Sequence, residues 1–432
     1  MSKKNKAMYK TILCMLAIAG AGYAHAAGSD TLKLTFDKAD SLFLKNSYAL
    51  LASQCNVSAA TALRVQAKLY PNPNLYVEQS LVNKTTRPNY DTDPTRTGST
   101  ETILQVQQLI LLAGKRNKQI KLSEINAKLA EADFENILRT LKLQLHEDLA
   151  RLYYNNVSLF YLLEERKSIE ELSGNLELQV KNGYVSLNEV VRLKSLLLEI
   201  DKNISDYSIN NFNLTAEINT IMGNKPDTGI KPVIRSVAGV SLQMPPVNNF
   251  LDSATVYNPE LKSYNYRIDY AKATYALNKA QAVPDASLQF TYDKSGNYIR
   301  NYYGLGLGIQ LPTWNRNQGY VKASKFQINQ TENELKQEQV SVASNIIASY
   351  YAYEVNKKIL DTYKDDYERE LLQLMDNVLE NYKKRQLGLN EFVNYYESYK
   401  QSYLSLLDVK SQSFSNAEEM NFLIGKAIIK YE

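Results

Sequence analysis

The tripeptide Leu187-Asn188-Glu189 recurs as Leu389-Asn390-Glu391, and this repeat decides the fold. Upstream of the two copies, Arg-Asn pairs at 116–117 and 316–317 each open a long segment of helical composition. The offset between matched motifs is 200 residues from 116 to 316 and 202 residues from 187 to 389. Such a period is far longer than the roughly 20–50 residues of solenoid and propeller repeats. The sequence therefore predicts an internal duplication of one large supersecondary unit.

Two segments without glycine or proline, 115–173 and 320–387, follow the Arg-Asn pairs. An α-helix rises about 1.5 Å per residue, so segments of about 60–68 residues would give continuous helices of roughly 90–100 Å. Helices of globular domains are usually much shorter. Earlier helical stretches at 35–69 and 252–282 are available to pack against the excess length. We therefore expect a coiled-coil-like helical body.

Each long segment is followed by a partner helix, 187–222 or 389–428, whose apolar residues recur in steps of three and four. This spacing keeps an apolar seam facing a neighbouring helix. Short loops around Val185 and Leu387 join each partner to its long helix, and short connections favour antiparallel hairpins. The sequence predicts helical hairpins over 116–222 and 315–430.

A different pattern precedes each long helix. Between Tyr303 and Leu311, large apolar residues alternate with glycine or glutamine, and between Leu288 and Tyr292 they alternate with polar residues. An apolar face opposite a polar face is typical of a membrane barrel strand, with lipid outside and water inside. We predict strands at about 74–82, 101–112, 286–293 and 302–312, joined by hairpin loops at 83–100 and 293–301.

Four strands are too few to close a barrel, and an open strand edge in lipid leaves backbone groups unpaired. The chain is therefore expected to oligomerise. Two chains would give a small barrel filled by its own side chains, and three chains would give the next larger one. A tunnel wide enough to match the long helical body favours three chains.

The N-terminus has the features of an export signal. Four lysines within the first ten residues precede an apolar run over 11–21, and Ala24-His25-Ala26 offers a small-residue cleavage site. The run is shorter than the roughly 20 residues of a membrane-spanning helix. We expect cleavage near Ala26 and no lipid on Cys14. Removal of four lysines and no acid takes the formal charge from +4 to zero, which does not support a nucleic-acid footprint.

Residues that usually carry catalysis or metal binding are sparse. After cleavage at Ala26, His146 is the only histidine and Cys55 is the only cysteine. We expect His146 in a solvated or packed role inside a long helix, and Cys55 as a small buried helical residue without a disulfide. The sequence contains no C-x-x-C, H-E-x-x-H or phosphate-loop motif. It therefore predicts no enzyme activity, no bound cofactor or metal, and no nucleic-acid partner.

Two motifs and the duplication carry a resemblance to a known family. Residues 34–39, Leu-Thr-Phe-Asp-Lys-Ala, are similar to the opening helix of the TolC-type outer membrane efflux family. The strand-to-helix turn at 311–319 closely resembles that of the CzcC/CusC-like heavy-metal efflux branch. The resemblance covers essentially the whole mature chain. The residues of the turn motif are Pro312, Trp314, Asn315, Arg316, Asn317, Gln318 and Gly319.

The resemblance implies a homotrimer in the outer membrane of a Gram-negative bacterium. Its chains would jointly close a barrel surrounded by outer membrane lipid and a helical tunnel that extends into the periplasm. Such a channel would dock on a periplasmic adaptor, or membrane fusion protein, and receive substrate from an inner-membrane pump of the resistance-nodulation-division (RND) type. No cofactor is implied.

The resemblance also implies that the two helix-to-helix turns are the periplasmic tips. Family members carry a glycine there and an acidic residue about six positions later, and Gly183 and Glu189 fit this pattern. In the second half, Arg385 stands where the glycine would, and Glu391 matches the acid. Asn394 replaces a second acid that is frequent in the family. The residues expected to contact the adaptor are Gly183, Tyr184, Val185, Ser186, Leu187, Gln386, Leu387, Gly388 and Leu389.

The two acids have different expected roles. Ser186 and Glu189 are spaced as a capping box, in which serine and glutamate satisfy each other's backbone amides. Gly388 has no hydroxyl, so we interpret Glu391 as a candidate pore constriction, with Arg385 as its counter-charge. The candidate pore or gate residues are Glu391, Asn394, Arg385 and Glu189.

Together these patterns predict a mixed α+β membrane protein. It would combine a long coiled-coil-like α-helical barrel with a transmembrane β-barrel, each completed by trimerisation. A signal peptide (1–26) would precede a first repeat (27–223), an irregular strap (224–251) and a second repeat (252–432). The predicted function is the outer-membrane exit duct of a tripartite efflux system, with heavy-metal cations as a candidate cargo. Two alternatives are a drug, bile-salt or peptide export channel of the same fold, and a periplasmic coiled-coil scaffold without its own barrel.

Overall fold

The computed structural model describes residues 31–79, 102–234, 244–294, 299–363 and 365–426. The predicted signal peptide and the predicted hairpin loop at 83–100 lie outside these ranges. The chain divides into two compact units. We call them the hairpin unit (Met1–Leu51, Ile137–Tyr257 and Val342–Glu432) and the sheet unit (Ala52–Asn136 and Asn258–Ser341).

Six strands and nine helices follow one another along the described residues. The strands are β1 (Leu32–Leu34), β2 (Asn74–Gln79), β3 (Thr102–Ile110), β4 (Ile230–Pro232), β5 (Ala286–Asp293) and β6 (Tyr302–Ile309). The helices are α1 (Phe36–Asn46), α2 (Tyr48–Gln66), α3 (Lys115–Lys181), α4 (Leu187–Met222), α5 (Val247–Tyr257), α6 (Pro259–Gln281), α7 (Gln318–Thr362), α8 (Asp365–Lys383) and α9 (Leu389–Ile424). None of these helices is both long enough and apolar enough to cross a lipid bilayer.

The sheet unit contains one antiparallel sheet of four strands in the order β2-β3-β5-β6. Each strand lies within one of the four segments that show period-two alternation. β3 pairs with β5 from Ile103 to Ile110, and β5 pairs with β6 from Ala286 to Asp293, without a break in register. Within the described residues, β2 and β6 each have a single neighbour. Both outer edges of the sheet therefore present unpaired backbone groups.

The register gives the sheet two chemically different faces. Residues directly opposite one another in paired antiparallel strands point to the same face. One such row across the four strands consists of Leu75, Val106, Phe290 and Leu305. The next row, on the opposite face, contains Gln107, Gln289 and Gly306. Leu305 and Phe290 are 76% and 47% exposed, so the apolar face is uncovered in the single chain.

An apolar core lies between α3, α4, α8 and α9 of the hairpin unit. Leu162 and Ile169 of α3, Leu193 of α4 and Phe392 of α9 are all fully buried there. Burying a side chain of this size contributes roughly 1.5–3 kcal/mol. The seam residues predicted from the three-and-four spacing supply much of this core, which holds the two hairpins side by side.

The second long helix is interrupted, so the prediction of one continuous helix over 320–385 was wrong. α7 ends at Thr362 and α8 begins at Asp365, with Lys364 outside the described residues. Thr362 Oγ1 donates a hydrogen bond to the Lys358 carbonyl oxygen at 2.8 Å, a contact that often bends helices. Acidic residues favour the start of a new helix. The absence of glycine and proline was therefore not enough to establish continuity.

The two shorter helical stretches are also divided. The stretch predicted at 35–69 breaks at Ser47, between α1 and α2. The stretch predicted at 252–282 breaks at Asn258, whose Oδ1 accepts hydrogen bonds from two amides of the following turn at 2.8 and 3.0 Å. Asn258 is thus an N-cap, and Pro259 follows at the first helical position, where proline is well tolerated.

The segment 224–251 is not wholly irregular, contrary to the prediction. β4 pairs in parallel with β1, with Leu32 opposite Ile230, and α5 begins at Val247. Residues 235–243 lie outside the described ranges. Strands of three residues are too short to show a recognisable alternation, which is why the sequence analysis missed them.

Cys55 lies in helix α2 as expected, but its side chain is exposed rather than buried. The buried part of the contact between α2 and α3 consists of small residues, with Ala60 packed against Ala127 and Ala130. A contact of this kind covers little of the helix surface. The prediction of a buried Cys55 was therefore wrong for the single chain.

Candidate functional site

The turn between α3 and α4 closes the first hairpin in a Schellman motif. The Tyr184 amide donates to the Gln179 carbonyl at 2.9 Å, and the Gly183 amide donates to the Val180 carbonyl at 3.0 Å. These two bonds satisfy terminal carbonyl groups of α3 and need a left-handed residue at the turn. Gly183 supplies it with φ +76°, a conformation that glycine adopts without steric cost.

The turn between α8 and α9 has the same backbone geometry. The Gln386 amide donates to the Asn381 carbonyl, and the Arg385 amide donates to the Tyr382 carbonyl, both at 2.9 Å. Arg385 occupies the left-handed position with φ +60°, where a side chain costs roughly 1–2 kcal/mol. The two turns are therefore equivalent in hydrogen bonding, although only the first has glycine at the left-handed position.

The Arg385 side chain contacts the first hairpin. Its Nη2 donates to Gln179 Oε1 at 3.2 Å, and Gln179 is the residue whose carbonyl closes the first turn. In the described part of this single chain, Arg385 makes no ion pair with Glu391; its partner is a neutral amide. Arg385, the expected counter-charge for Glu391, therefore contacts Gln179 instead.

The capping contacts differ from those predicted. Ser186 Oγ accepts a hydrogen bond from the Asn188 amide at 3.2 Å, and the described residues show no reciprocal bond from the Ser186 amide to Glu189. In the second hairpin, the Gly388 amide donates to Glu391 Oε2 at 3.2 Å. The glutamate half of a capping box therefore forms at the turn that lacks serine. Glu391, rather than Glu189, stabilises its own helix terminus.

A groove of about 680 Å³ lies between the first turns of α4 and α9. Both acidic gate candidates, Glu189 and Glu391, line this groove. Asn394 lies about one helical turn beyond Glu391 and is exposed. The remaining lining residues are Asn188, Val191, Arg192, Gly388, Leu389 and Asn390.

The turns combine packed and exposed apolar side chains. Val185, Leu387 and Leu389 pack against the core of the hairpin unit. Tyr184 and Leu187, by contrast, are 77% and 64% exposed. The packed residues hold the turns in place, and the exposed ones leave apolar surface at the first tip.

The turn motif at 312–319 lies in the sheet unit, between β6 and α7. Asn317 has φ +59°, and its Nδ2 donates to the Asn278 carbonyl at 2.8 Å. This bond ties the turn to α6. Trp314 extends into solvent and is 90% exposed. The motif therefore shapes the strand-to-helix junction and is not part of the hairpin tips.

A buried charge cluster in the hairpin unit was missed by the sequence analysis. His146 is 9% exposed, and its Nε2 and Nδ1 lie 2.9 Å from Asp40 Oδ1 and 3.1 Å from Glu418 Oε2. Burial alone would lower the pKa of His146, but the hydrogen bonds to the two carboxylates outweigh burial and raise the pKa to about 9. The charged imidazole therefore links α1, α3 and α9 at neutral pH. Its partners are 106 and 272 positions away, beyond the reach of any local pattern.

Comparisons with known proteins agree with this fold. The model of the outer membrane efflux protein family matches residues 250–381. The cobalt-zinc-cadmium resistance protein CzcC of Cupriavidus metallidurans is 19% identical over 343 residues, which cover 77% of this chain and 75% of CzcC. The solved structure of CusC has a TM-score of 0.71 at 14% identity and covers 94% of this chain and 95% of its own. The outer membrane channel CmeC of Campylobacter jejuni has a TM-score of 0.74 at 14% identity and covers 91% and 87%.

The chain therefore has the fold of these outer-membrane channel structures. Residues 250–381 thus match the model of the outer membrane efflux protein family, and the chain is similar to CzcC in sequence and to CusC in fold. The resemblance drawn from the turn motif and the duplicated sequence is thereby confirmed.

Proposed function

We propose that this chain is the outer-membrane exit duct of a tripartite efflux system and that three copies complete the duct. The observation that carries the proposal is the four-stranded sheet with one apolar face, one polar face and two open edges. In lipid, each unpaired backbone group at an open edge costs several kcal/mol. Pairing β2 of one copy with β6 of the next would remove both edges and close a barrel.

The hairpin unit offers a surface suited to a hydrophilic passage. A groove of about 980 Å³ is lined by residues of α3, α4, α7 and α9. Its charged lining residues are Glu147, Arg151, Asp408 and Glu419. In a ring of three copies, this polar surface would form part of a water-filled tunnel wall.

The tips are the proposed docking surface for a periplasmic adaptor, which would connect the duct to an inner-membrane RND pump. Tyr184 and Leu187 leave apolar area exposed at the first tip. Gly183 and Gly388 have no side chains, and space around a Cβ at Gly183 is open. A helical hairpin of the adaptor would bury this apolar area at close range.

The tips also contain the proposed pore constriction. Around a threefold axis, Glu391 from each copy would form a ring of acids, with Asn394, Arg385 and Glu189 nearby. A ring of carboxylates favours cations and obstructs anions. In this arrangement the Gly388 amide would keep each Glu391 side chain oriented.

Heavy-metal cations are the proposed cargo. The similarity to CzcC, named for cobalt, zinc and cadmium resistance, supports this class of substrate. Within the described ranges, no group of three or more histidine, cysteine, aspartate or glutamate side chains could hold a metal ion. The cargo would therefore be passed along the duct by weak contacts with its polar wall.

Gene deletion and complementation test this function. Growth inhibition by zinc, cobalt and cadmium salts is compared between the deletion strain and the same strain carrying the gene. We expect the deletion to lower tolerance of at least one of these cations and the gene to restore it. Altered tolerance only of drugs, bile salts or peptides would contradict heavy-metal cations as the cargo but would still support an export channel. Unchanged tolerance of all four classes would contradict an efflux role.

Assembly is tested separately in membrane fractions. The mature protein should be recovered from outer membranes as a trimer that dissociates on heating. A mature protein that is soluble and monomeric without detergent would favour the periplasmic scaffold. This measurement does not depend on the cargo.

A further inference from the structure

The strand-to-helix junctions of the sheet unit form a strongly basic surface. Ile110, Ala286 and Ile309 lie opposite one another, so β3, β5 and β6 begin or end side by side at one end of the sheet. Here that end of the strands is called the edge. The segments between this edge and the helices, with the adjoining helical turns, contain ten lysines and arginines and one acid, Asp285. We call these segments the junction belt; they are 64–73, 111–122, 276–285 and 310–326.

The single acid of the junction belt is already neutralised. Lys115 Nζ lies 2.7 Å from Asp285 Oδ1, and the Lys115 side chain is only 8% exposed. The exposed basic residues Lys68, Lys279 and Lys322 therefore have no acid of the belt available to them. The whole-chain charge concealed this concentration, because acids elsewhere cancel it.

Exposed aromatic side chains lie in the same segments. Trp314, the only tryptophan of the chain, is 90% exposed, and Tyr70 and Tyr320 are 73% and 71% exposed. The Arg116 guanidinium lies 4.0 Å from the centre of the Tyr70 ring. Tryptophan and tyrosine beside basic residues are typical of the headgroup layer of a membrane, where an apolar ring and a polar edge are both accommodated.

We propose that the junction belt binds anionic phospholipid headgroups at the periplasmic surface of the outer membrane and enriches them around the protein. Phosphate groups at a bilayer surface are the anions that clustered lysine and arginine attract there. The apolar face of the sheet continues from the same edge, since Leu307 and Ile309 are 68% and 51% exposed. A nucleic acid would match the charge of the belt but not this adjoining apolar face. The inference rests on the proposed duct, in which that face contacts lipid.

The unique tryptophan provides the measurement. The mature protein is reconstituted into phosphatidylethanolamine vesicles that contain a minor fraction of either brominated phosphatidylglycerol or brominated phosphatidylcholine, and quenching of Trp314 fluorescence is recorded. A basic residue near an anionic surface changes local partition by about five-fold. We therefore expect quenching by the anionic lipid to be at least about two-fold stronger, and the preference to weaken with added salt.

Charge-removing variants locate the binding surface. Lys68→Gln, Lys279→Gln and Lys322→Gln are combined as the belt variant. The matched control combines Lys167→Gln, Lys181→Gln and Lys225→Gln, three exposed lysines of the hairpin unit. The lipid preference should be lost in the belt variant and retained in the control. If the belt variant does not assemble as a trimer, Arg316→Gln alone replaces it, with the same expected loss.

The outcomes separate this inference from the proposed function. Equal quenching by the two lipids, or an equal preference in the belt variant and the control, overturns the lipid selectivity and leaves the duct in place. Absence of quenching by either lipid overturns both, because Trp314 would then lie away from the bilayer. Binding of a DNA duplex at the same salt concentration, without any lipid preference, would assign the belt to nucleic acid instead.

Discussion

The two hairpin tips share a backbone and differ in side-chain chemistry. Gly183 and Arg385 both adopt the left-handed conformation, with φ +76° and +60°. The same pair of amide-to-carbonyl bonds closes each turn. Two hairpins can therefore keep one hydrogen-bonding scheme while the residues that satisfy it change.

The side chains of the two tips suit different roles. The first tip uses glycine and exposes Tyr184 and Leu187. The second tip carries two charged side chains, with Arg385 bonded to Gln179 and Glu391 bonded to the Gly388 amide. We infer that apolar docking depends mainly on the first tip and charge selection mainly on the second.

The largest expected effect comes from breaking the docking surface. We predict that Leu187→Asp abolishes export while trimer yield stays unchanged, because the side chain is exposed and a charge there opposes apolar packing by the adaptor. Gly388→Arg should act similarly by filling space beside Glu391 Oε2, which lies 3.6 Å from the position of an added Cβ. Export is measured as restored metal tolerance in the deletion strain.

A matched control for these variants is Asn188→Asp. It adds the same charge at the neighbouring exposed position but leaves the apolar surface intact. We expect near-normal export from this control. Normal export by both Leu187→Asp and Gly388→Arg would remove the tips from the adaptor interface.

The next prediction concerns the buried charge cluster of His146, which links helices of the two hairpins. His146 of α3 is bonded to Glu418 of α9 and to Asp40 of α1, and the charges of Lys142 and Glu147 lie close to this cluster. The shift of the His146 pKa from 6.5 to about 9 corresponds to at most about 3 kcal/mol per chain. Because the folded pKa is raised, this stabilisation is complete below pH 6.5 and is lost as the pH rises through about 9.

Thermal unfolding of the trimer at two pH values tests whether the His146 cluster supplies this stabilisation. His146→Gln should lower the midpoint at pH 6 and should reduce the difference between pH 6 and pH 9.5. Lys142→Gln is the control, because it removes a partner of Asp40 but keeps the imidazole. An undiminished pH difference in His146→Gln would show that the cluster does not supply the stabilisation.

Local sequence patterns predicted the strands and the seams, whereas the equivalence of Arg385 with Gly183 came from the family resemblance. The strands and the seams are set by neighbours within a few residues, because alternation and three-and-four spacing follow directly from backbone geometry. The contacts that patterns missed depend on single side chains or on distant partners. The second long helix ends at Thr362 without a glycine or proline, and His146 meets Glu418 only after folding. The capping of α9 by Glu391 was missed because the capping-box pattern begins with a hydroxyl.

The third prediction compares the acids of the two tips. Glu391→Gln should reduce cation selectivity in planar-bilayer recordings, because it removes the charge of the proposed ring. The glutamine carbonyl can still accept the hydrogen bond from the Gly388 amide, so the helix terminus should remain capped. Glu189→Gln should change the current little. The double variant Glu391→Ala with Arg385→Ala should raise conductance, since it removes both charged side chains from the tip.

Glu391 is also expected to stabilise the start of α9. Because Glu391 rather than Glu189 forms the capping contact, Glu391→Ala should destabilise the start of α9 by about 1 kcal/mol. Glu189→Ala should have less effect. Equal electrical effects of the two substitutions to glutamine, or no effect of Glu391→Gln, would contradict a role for Glu391 at the constriction.

The smallest expected effect tests the shared backbone itself. Arg385→Gly should relieve a left-handed side chain and lower the frequency of local opening at the second tip by roughly five-fold, or about 1 kcal/mol. Gly183→Ala should raise opening at the first tip by a similar factor; an added Cβ meets no atom within 4 Å, so the change reports backbone strain alone.

Hydrogen exchange of the Gln386 and Tyr184 amides, which close the two turns, measures both effects. Gln179→Ala is the control, because it removes the partner of the Arg385 side chain without altering either turn. If Arg385→Gly accelerates exchange by more than Gln179→Ala does, the arginine stabilises the turn through contacts other than this hydrogen bond, and the two tips are not equivalent.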